Sequence, residues 1–322
     1  MNKLSIAYFG SPDFSADFLE KLITDVSINQ LIDTKLVVTQ PDQPVGRKQI
    51  LTPTPVKTMA EKYRKGEDTD FSDFSISEKS RIELTNIDLA LVYAFGEIIP
   101  KEILDLPKYG FWNIHPSLLP KYRGTSPIAT PLINGDKTTG VTIIKMDEKI
   151  DHGPIIAQES LTIEKTDKRP DLEKKLTDLA FEMFKKLTYS FCSAEQKLSF
   201  KKQGENQVSY AKKLSKHDGF IEFEELKRAI NPTSSRLAGL RGAGNSQLTI
   251  SNSIYNLFRG LYPWPGIWTM IKPIQPTRLD EVKRLKITDL DLVNGKLIIK
   301  KVQLEGKKEV DFETFNKAYK IF

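Results

Sequence analysis

The chain has 322 residues, 39% hydrophobic and 28% charged, with 48 Lys+Arg against 42 Asp+Glu for a formal net charge of +6. That fits a soluble globular protein long enough for two domains, and no apolar stretch approaches the roughly 20 residues that span a bilayer. A single cysteine, Cys192, excludes an internal disulfide and a cysteine-rich zinc site, and the expected location is the cytoplasm. The charge is uneven. Residues 1–190 carry 25 Lys+Arg and 28 Asp+Glu, a net of −3, and the remainder carries 23 and 14, a net of +9. A basic tail on a neutral-to-acidic body points to a polyanionic partner, RNA or DNA first.

From the N-terminus, Leu4–Gly10 reads as a buried strand, not a signal peptide. Ser11-Pro12 then offers a cap and a first-turn proline for a helix over 13–24, with Phe14, Phe18, Leu19 and Leu22 on one face. Residues 35–39 form a second strand. Thr54-Pro55 repeats the cap-plus-proline signal before a helix to about 64. Residues 89–93, 111–114, 140–146 and 155–163 read as further strands. A helix over 170–191 follows, with Leu172, Leu176, Leu179, Met183 and Leu187 at helical spacing. Strands alternating with helices predict an α/β, Rossmann-like, mostly parallel sheet, whose ligands bind outside the carboxyl ends of the strands.

The expected domains are a catalytic body over 1–190, a polar linker over 191–212 and a small β-rich domain over 213–322. In the last, 283–293 and 296–304 read as strands joined by Asn294-Gly295, a strong hairpin signal.

The chemistry-bearing side chains concentrate between Trp112 and Gly153. Asn113 and His115 are two apart, so on an extended strand they point the same way. Asp151 follows another strand. An amide, an imidazole and a carboxylate suit acyl transfer: a donor for an oxyanion, a proton carrier and an orienting base. Each taken alone is more often a turn residue than a catalyst.

The segments NIHPSLLPKYRGTSPI and GDKTTGVTIIKMDEKIDHGPI resemble the signature of the 10-formyltetrahydrofolate-dependent formyltransferases. PDQPVGR, YPWPGIWT and KVQLEGKK resemble elements of the branch of that family acting on methionyl-tRNA. The resemblance implies Asn113, His115 and Asp151 as the catalytic residues. Asn113 and protonated His115 would donate to the oxyanion, and Asp151 would hold His115 and help move the amine proton. It further implies a folate-contacting loop of Ser117, Leu118, Leu119 and Pro120, and a pterin pocket including Val92, Ala94, Phe95 and Gly96. 10-Formyltetrahydrofolate would be co-substrate, with no metal. The implied partner is methionyl initiator tRNA, held by Arg47 with Lys48 beside it and by an OB-like C-terminal domain. Arg241, in extra chain that the family pattern does not provide, is a further candidate tRNA contact, and a monomer away from membranes is expected.

Three stretches depart from the family pattern. Residues 224–250 carry extra chain, 269–294 is short for a five-stranded barrel, and the polar 71–80 replaces an apolar strand. Two other functions compete. A formyltransferase of glycinamide ribonucleotide or sugar nucleotides would keep the three catalytic residues but does not call for the basic tail. A non-catalytic RNA-binding protein on the same scaffold would be expected to have lost one of the three.

Overall fold

The computed structural model describes residues 3–46, 48–63, 70–73, 84–193, 199–230, 250–272 and 282–322. The chain divides into two compact units. One comprises Met1–Pro127, Thr138–Thr162 and Leu172–Lys212, and the other Ile128–Lys137, Ile163–Asp171 and Lys213–Phe322.

In the first unit, strand β1 (Leu4–Gly10) is apolar without alternation, a pattern that demands cover on both faces. Ala7 and Phe9 join Leu36, Val38, Ala90, Val92 and Phe111 in one cluster. On the other face Tyr8 stacks on Phe18 of α1 (Asp13–Thr24), at 6.0 Å between centroids. The strands β2 (Ile32–Thr39), β5 (Asp70–Asp73), β6 (Leu89–Tyr93), β7 (Phe111–His115), β9 (Thr138–Lys145) and β10 (Ile155–Thr162) complete a seven-stranded sheet. Its order is β10-β9-β7-β6-β1-β2-β5. The run from β5 to β7 is parallel, and β9 and β10 are antiparallel additions. The α/β mostly parallel sheet is therefore present as expected.

Ser11 does not cap α1. Pro12 takes the N-cap position, with no side-chain cap bond. The Ser11 hydroxyl instead donates to the Phe95 carbonyl at 3.0 Å and accepts from the Gln40 amide at 3.4 Å. It ties together the chain leaving β1, β2 and β6, at the end of the sheet where ligands bind. Thr54 does cap α2 (Pro55–Tyr63), accepting from the Lys57 amide at 3.1 Å. Beyond the short helix α3 (Lys101–Leu104), the long helix α5 (Arg169–Cys192) buries Leu172, Leu176, Ala180, Phe181, Met183, Phe184 and Thr188, while Leu179 and Leu187 are only half-buried. Its stripe is rotated toward the aromatic pair, because Phe181 and Phe184 both pack on Phe18, at 5.9 and 6.2 Å. The polar stretch 71–80 contributes its first residues to edge strand β5, and 74–80 lie outside the described residues.

Residues 199–212, expected as linker, are fastened to the first unit. Lys201 exchanges backbone hydrogen bonds with Ile155 at 2.8 and 2.9 Å. The short strand β11 (Tyr210–Ala211) pairs in parallel with β8 (Arg123–Gly124).

The second unit holds a four-stranded antiparallel sheet, β12 (Ile267–Ile271), β13 (Lys283–Val293), β14 (Lys296–Leu304) and β15 (Glu309–Asp311). Asn294 and Gly295 turn the central hairpin with φ of 51° and 76°, the left-handed pair its two-residue loop requires. Leu285, Ile287, Leu297 and Val302 pack against Leu226 of α6 (Phe223–Ile230), Phe258 and Leu261 of α7 (Ile250–Leu261), and Phe315 of α8 (Phe312–Tyr319). The short helix α4 (Ala129–Asn134) packs on α7, where Gly260 lets the two backbones come close. Of the extra chain expected at 224–250, residues 224–230 belong to α6 and Ile250 opens α7, while 231–249 lie outside the described residues.

Candidate active site

Strand β7 presents Asn113 and His115 on one side and turns Trp112 and Ile114 into the apolar interior. Asp151 sits in the turn between β9 and β10 with φ of 49°, a left-handed conformation that L-residues seldom take. The three side chains meet. The Asn113 amide donates to Asp151 Oδ1 at 3.0 Å, and His115 Nδ1 lies 3.5 Å from the same oxygen. The other oxygen, Oδ2, accepts from the Gly124 amide at 2.7 Å.

The histidine is 3% exposed. Its Nε2 is 2.9 Å from the Tyr122 carbonyl. A carbonyl has no hydrogen to give, so Nε2 carries the proton and Nδ1 is the nitrogen that faces the carboxylate. Both ring nitrogens are thus engaged with protein. Asn113, half-buried, has a second amide hydrogen beyond the one given to Asp151.

The loop after β7 is fixed from beneath. Thr142, fully buried in β9, donates its hydroxyl to the Ser117 carbonyl at 2.6 Å and accepts from the Leu119 amide at 3.1 Å. The Gln158 amide of β10 donates to the Leu119 carbonyl at 2.9 Å and to the Thr142 hydroxyl at 2.8 Å. Of the four residues expected to contact folate, Ser117 is fully buried and spends its hydroxyl on the Lys121 carbonyl at 2.7 Å. Leu119 is 3% exposed, and only Leu118 and Pro120 are half-open. Val92 and Phe95 are core residues, with Phe95 edge-on to Phe9 at 5.5 Å. Ala94 and Gly96 take positive φ, 53° and 88°, which turns the chain sharply after β6 and leaves Gly96 exposed.

The stretch 40–54 has no period in the sequence, yet it contains a small hairpin, β3 (Gln43–Val45) with β4 (Ile50–Thr52). Val45, Ile50 and Leu51 stand more than half exposed on it, and Lys48 is exposed at its turn. Arg47 and Arg241, both expected to contact tRNA, lie outside the described residues. His152, beside Asp151, points elsewhere and pairs with Asp147 at 2.7 Å.

Sequence reasoning missed Thr142, Gln158, Arg123 and Gln203 as supports. Thr142 was visible as a polar residue set within the apolar run 141–144. Gln203 left no signal, because side-chain bonding to a distant turn has no period.

Comparison with known proteins follows the same lines. The formyl transferase family profile matches residues 4–188. The chain is 35% identical to a methionyl-tRNA formyltransferase of Caldicellulosiruptor saccharolyticus, over 99% of this chain and 98% of that one. It is 34% identical to the enzyme of that name from Thermotoga sp., over 95% and 100% of the two chains. Among solved structures, a 4-N formyltransferase from Francisella tularensis shares the fold, with a TM-score of 0.56 at 17% identity over 84% of this chain and 93% of that one.

Proposed function

The chain belongs to the formyl transferase family, and from that premise we propose that it transfers the formyl group of 10-formyltetrahydrofolate to the amino group of methionyl initiator tRNA. The observation that carries the reading is the Asp151 carboxylate shared between Asn113 and His115. Relatives of that name align over nearly the whole chain, second unit included.

In this reading the amino group attacks the formyl carbon and its oxygen becomes an oxyanion. Asn113 supplies the donor, using its second amide hydrogen. Removing one such donor costs about 10²–10³ in rate. Asp151 accepts the proton leaving the attacking amine. As the oxyanion collapses, the bond between the formyl carbon and the folate nitrogen breaks, and the proton is returned to that departing nitrogen, which leaves as tetrahydrofolate. His115, which the family resemblance cast as a second oxyanion donor, is read here as acting on Asp151, because among the described residues its two nitrogens face Asp151 and the Tyr122 carbonyl. The loop 117–120 and the turn 94–96 form the walls for the folate. Leu118, Pro120 and Ala94 are the half-open positions, and Gly96 brings exposed backbone to the pterin. The exposed hairpin at 43–52 and the basic second unit take the tRNA. Lys48 and Arg47 meet phosphate and base edges, and Arg241 adds a contact from the extra chain.

The test is a formyl-transfer assay offering methionyl initiator tRNA, methionyl elongator tRNA or glycinamide ribonucleotide. Formylation of the initiator alone is expected. Preference for the small amine would overturn the tRNA reading. His115→Ala should abolish turnover while tRNA binding survives, and wild-type turnover in that variant would overturn its role.

A further inference from the structure

We infer that Gln203 is a positioning residue for the reaction, with its amide holding the backbone of the Asp151 turn and so aiming the carboxylate at Asn113 and His115. The inference rests on the assignment of Asp151 above. Gln203 Nε2 donates to the Asp151 carbonyl at 2.8 Å and to the Gly153 carbonyl at 2.9 Å. Its Oε1 accepts from Arg123 twice, from Nε at 3.1 Å and Nη2 at 2.6 Å. All four hydrogen-bonding positions of the amide are filled. Arg123 is 7% exposed and can only donate, so it fixes which end of the amide faces it. The NH₂ end is left pointing at the turn.

The turn needs an outside hold. Asp151 is left-handed, and Gly153 sits so close to the Lys145 carbonyl that a Cβ would collide with it. The first is a backbone conformation that L-residues seldom take, and the second a close approach of two backbone segments. The segment around Gln203 is itself anchored, by the backbone bonds between Lys201 and Ile155.

The same segment reaches the other groups around the carboxylate. The Ser209 hydroxyl accepts from the Tyr122 amide at 3.0 Å, and the Tyr122 carbonyl is the one bonded by His115. Ala211 pairs with Gly124, whose amide donates to Asp151 Oδ2. Residues 203–211 therefore set the backbone of Asp151, the seat of its carboxylate and the carbonyl that orients His115. A stretch with the composition of a linker does the positioning.

The experiment measures formyl transfer by the full chain in wild type, Gln203→Glu, Gln203→Met and Asp151→Asn, and in each Gln203 change combined with Asp151→Asn. Gln203→Glu keeps an acceptor for Arg123 but offers no donor to the turn. Both single changes at Gln203 should lower kcat by about 10²-fold, the penalty of an ångström-scale misplacement. KM for either substrate should move less than about threefold, a margin well inside the tenfold step of 1.4 kcal/mol. In the Asp151→Asn background the same changes should cost less than about threefold, because no carboxylate remains to be aimed. Equal losses in both backgrounds would mark a merely structural role and overturn the inference, as would a loss confined to KM. If Gln203→Met fails to fold, Gln203→Glu carries the test, with its melting transition as the control. A Gln203 variant with wild-type turnover beside an impaired Asp151→Asn overturns the positioning role alone. Wild-type turnover in Asp151→Asn overturns the assignment of Asp151, and this inference with it.

Discussion

Thr142→Val removes one hydroxyl and leaves the shape of the side chain. The site is fully buried, so no water replaces what is lost. Three hydrogen bonds go: the donation to the Ser117 carbonyl, and the acceptances from the Leu119 amide and the Gln158 amide. Gln158 keeps its second partner, the Leu119 carbonyl. The Leu119 amide and the Ser117 carbonyl are left without that partner, at about 1–3 kcal/mol each. A total near 3 kcal/mol is expected, and it falls on the segment 117–119, not on the whole sheet. Amide exchange at Leu119 should therefore quicken about 10²-fold, at tenfold per 1.4 kcal/mol. Exchange in β1 should respond much less. If this loop lines the folate site, KM for the folate should rise with kcat little changed. Unaltered exchange at Leu119 would refute the claim that the Thr142 hydroxyl holds the loop.

Two further outcomes concern stability. The Lys185 ammonium at 2.8 Å, with the Ser27 hydroxyl and the Ile28 amide, holds the Asp25 carboxyl well below the usual carboxylate range. A lowered group stabilises above its unfolded value, near 4, and that contribution is lost as pH falls through the folded value. The stability gap between wild type and Asp25→Asn should thus be full at pH 7 and begin to close below about pH 4 in urea titrations; a gap independent of pH would contradict the pairing. In the second unit, Arg259 is 5% exposed and donates to the Glu164 and Asp167 carbonyls and to Asn256 Oδ1. Arg259→Met should destabilise by about 3 kcal/mol through the orphaned acceptors, measured by chemical denaturation, and a loss under about 1 kcal/mol would show those acceptors satisfied elsewhere.

The sheet of the first unit was legible because its strands carry their own signal. β1, β6 and β13 have the bounds that apolar runs and turn residues predict. Asn113, His115 and Asp151 were singled out for a different reason, a resemblance to a family signature, and the fold brings their side chains together. Where sequence reading stopped short, the deciding contacts were distant. The face of α5 was set by Phe18, more than 150 residues earlier, and not by its own leucine spacing. Ser11 had the right chemistry for a cap but found better partners on the chain leaving β2 and β6. Gln203 and Ser209 sit in a polar, aperiodic stretch, and only the fold brings them to Arg123 and Tyr122.

The second unit is not contiguous along the chain: it draws in Ile128–Lys137 and Ile163–Asp171. A fragment starting at residue 213 would lack the helix that packs on α7 and the two carbonyls that Arg259 grips. Its failure to fold would say nothing about its affinity for RNA. The same discontinuity bears on synthesis. Residues 129–134 leave the ribosome more than a hundred residues ahead of 250–261, at roughly 5–20 residues per second. For several seconds a short apolar helix waits for the surface that will cover it, and in that interval the nascent chain is open to chaperones and to misfolding.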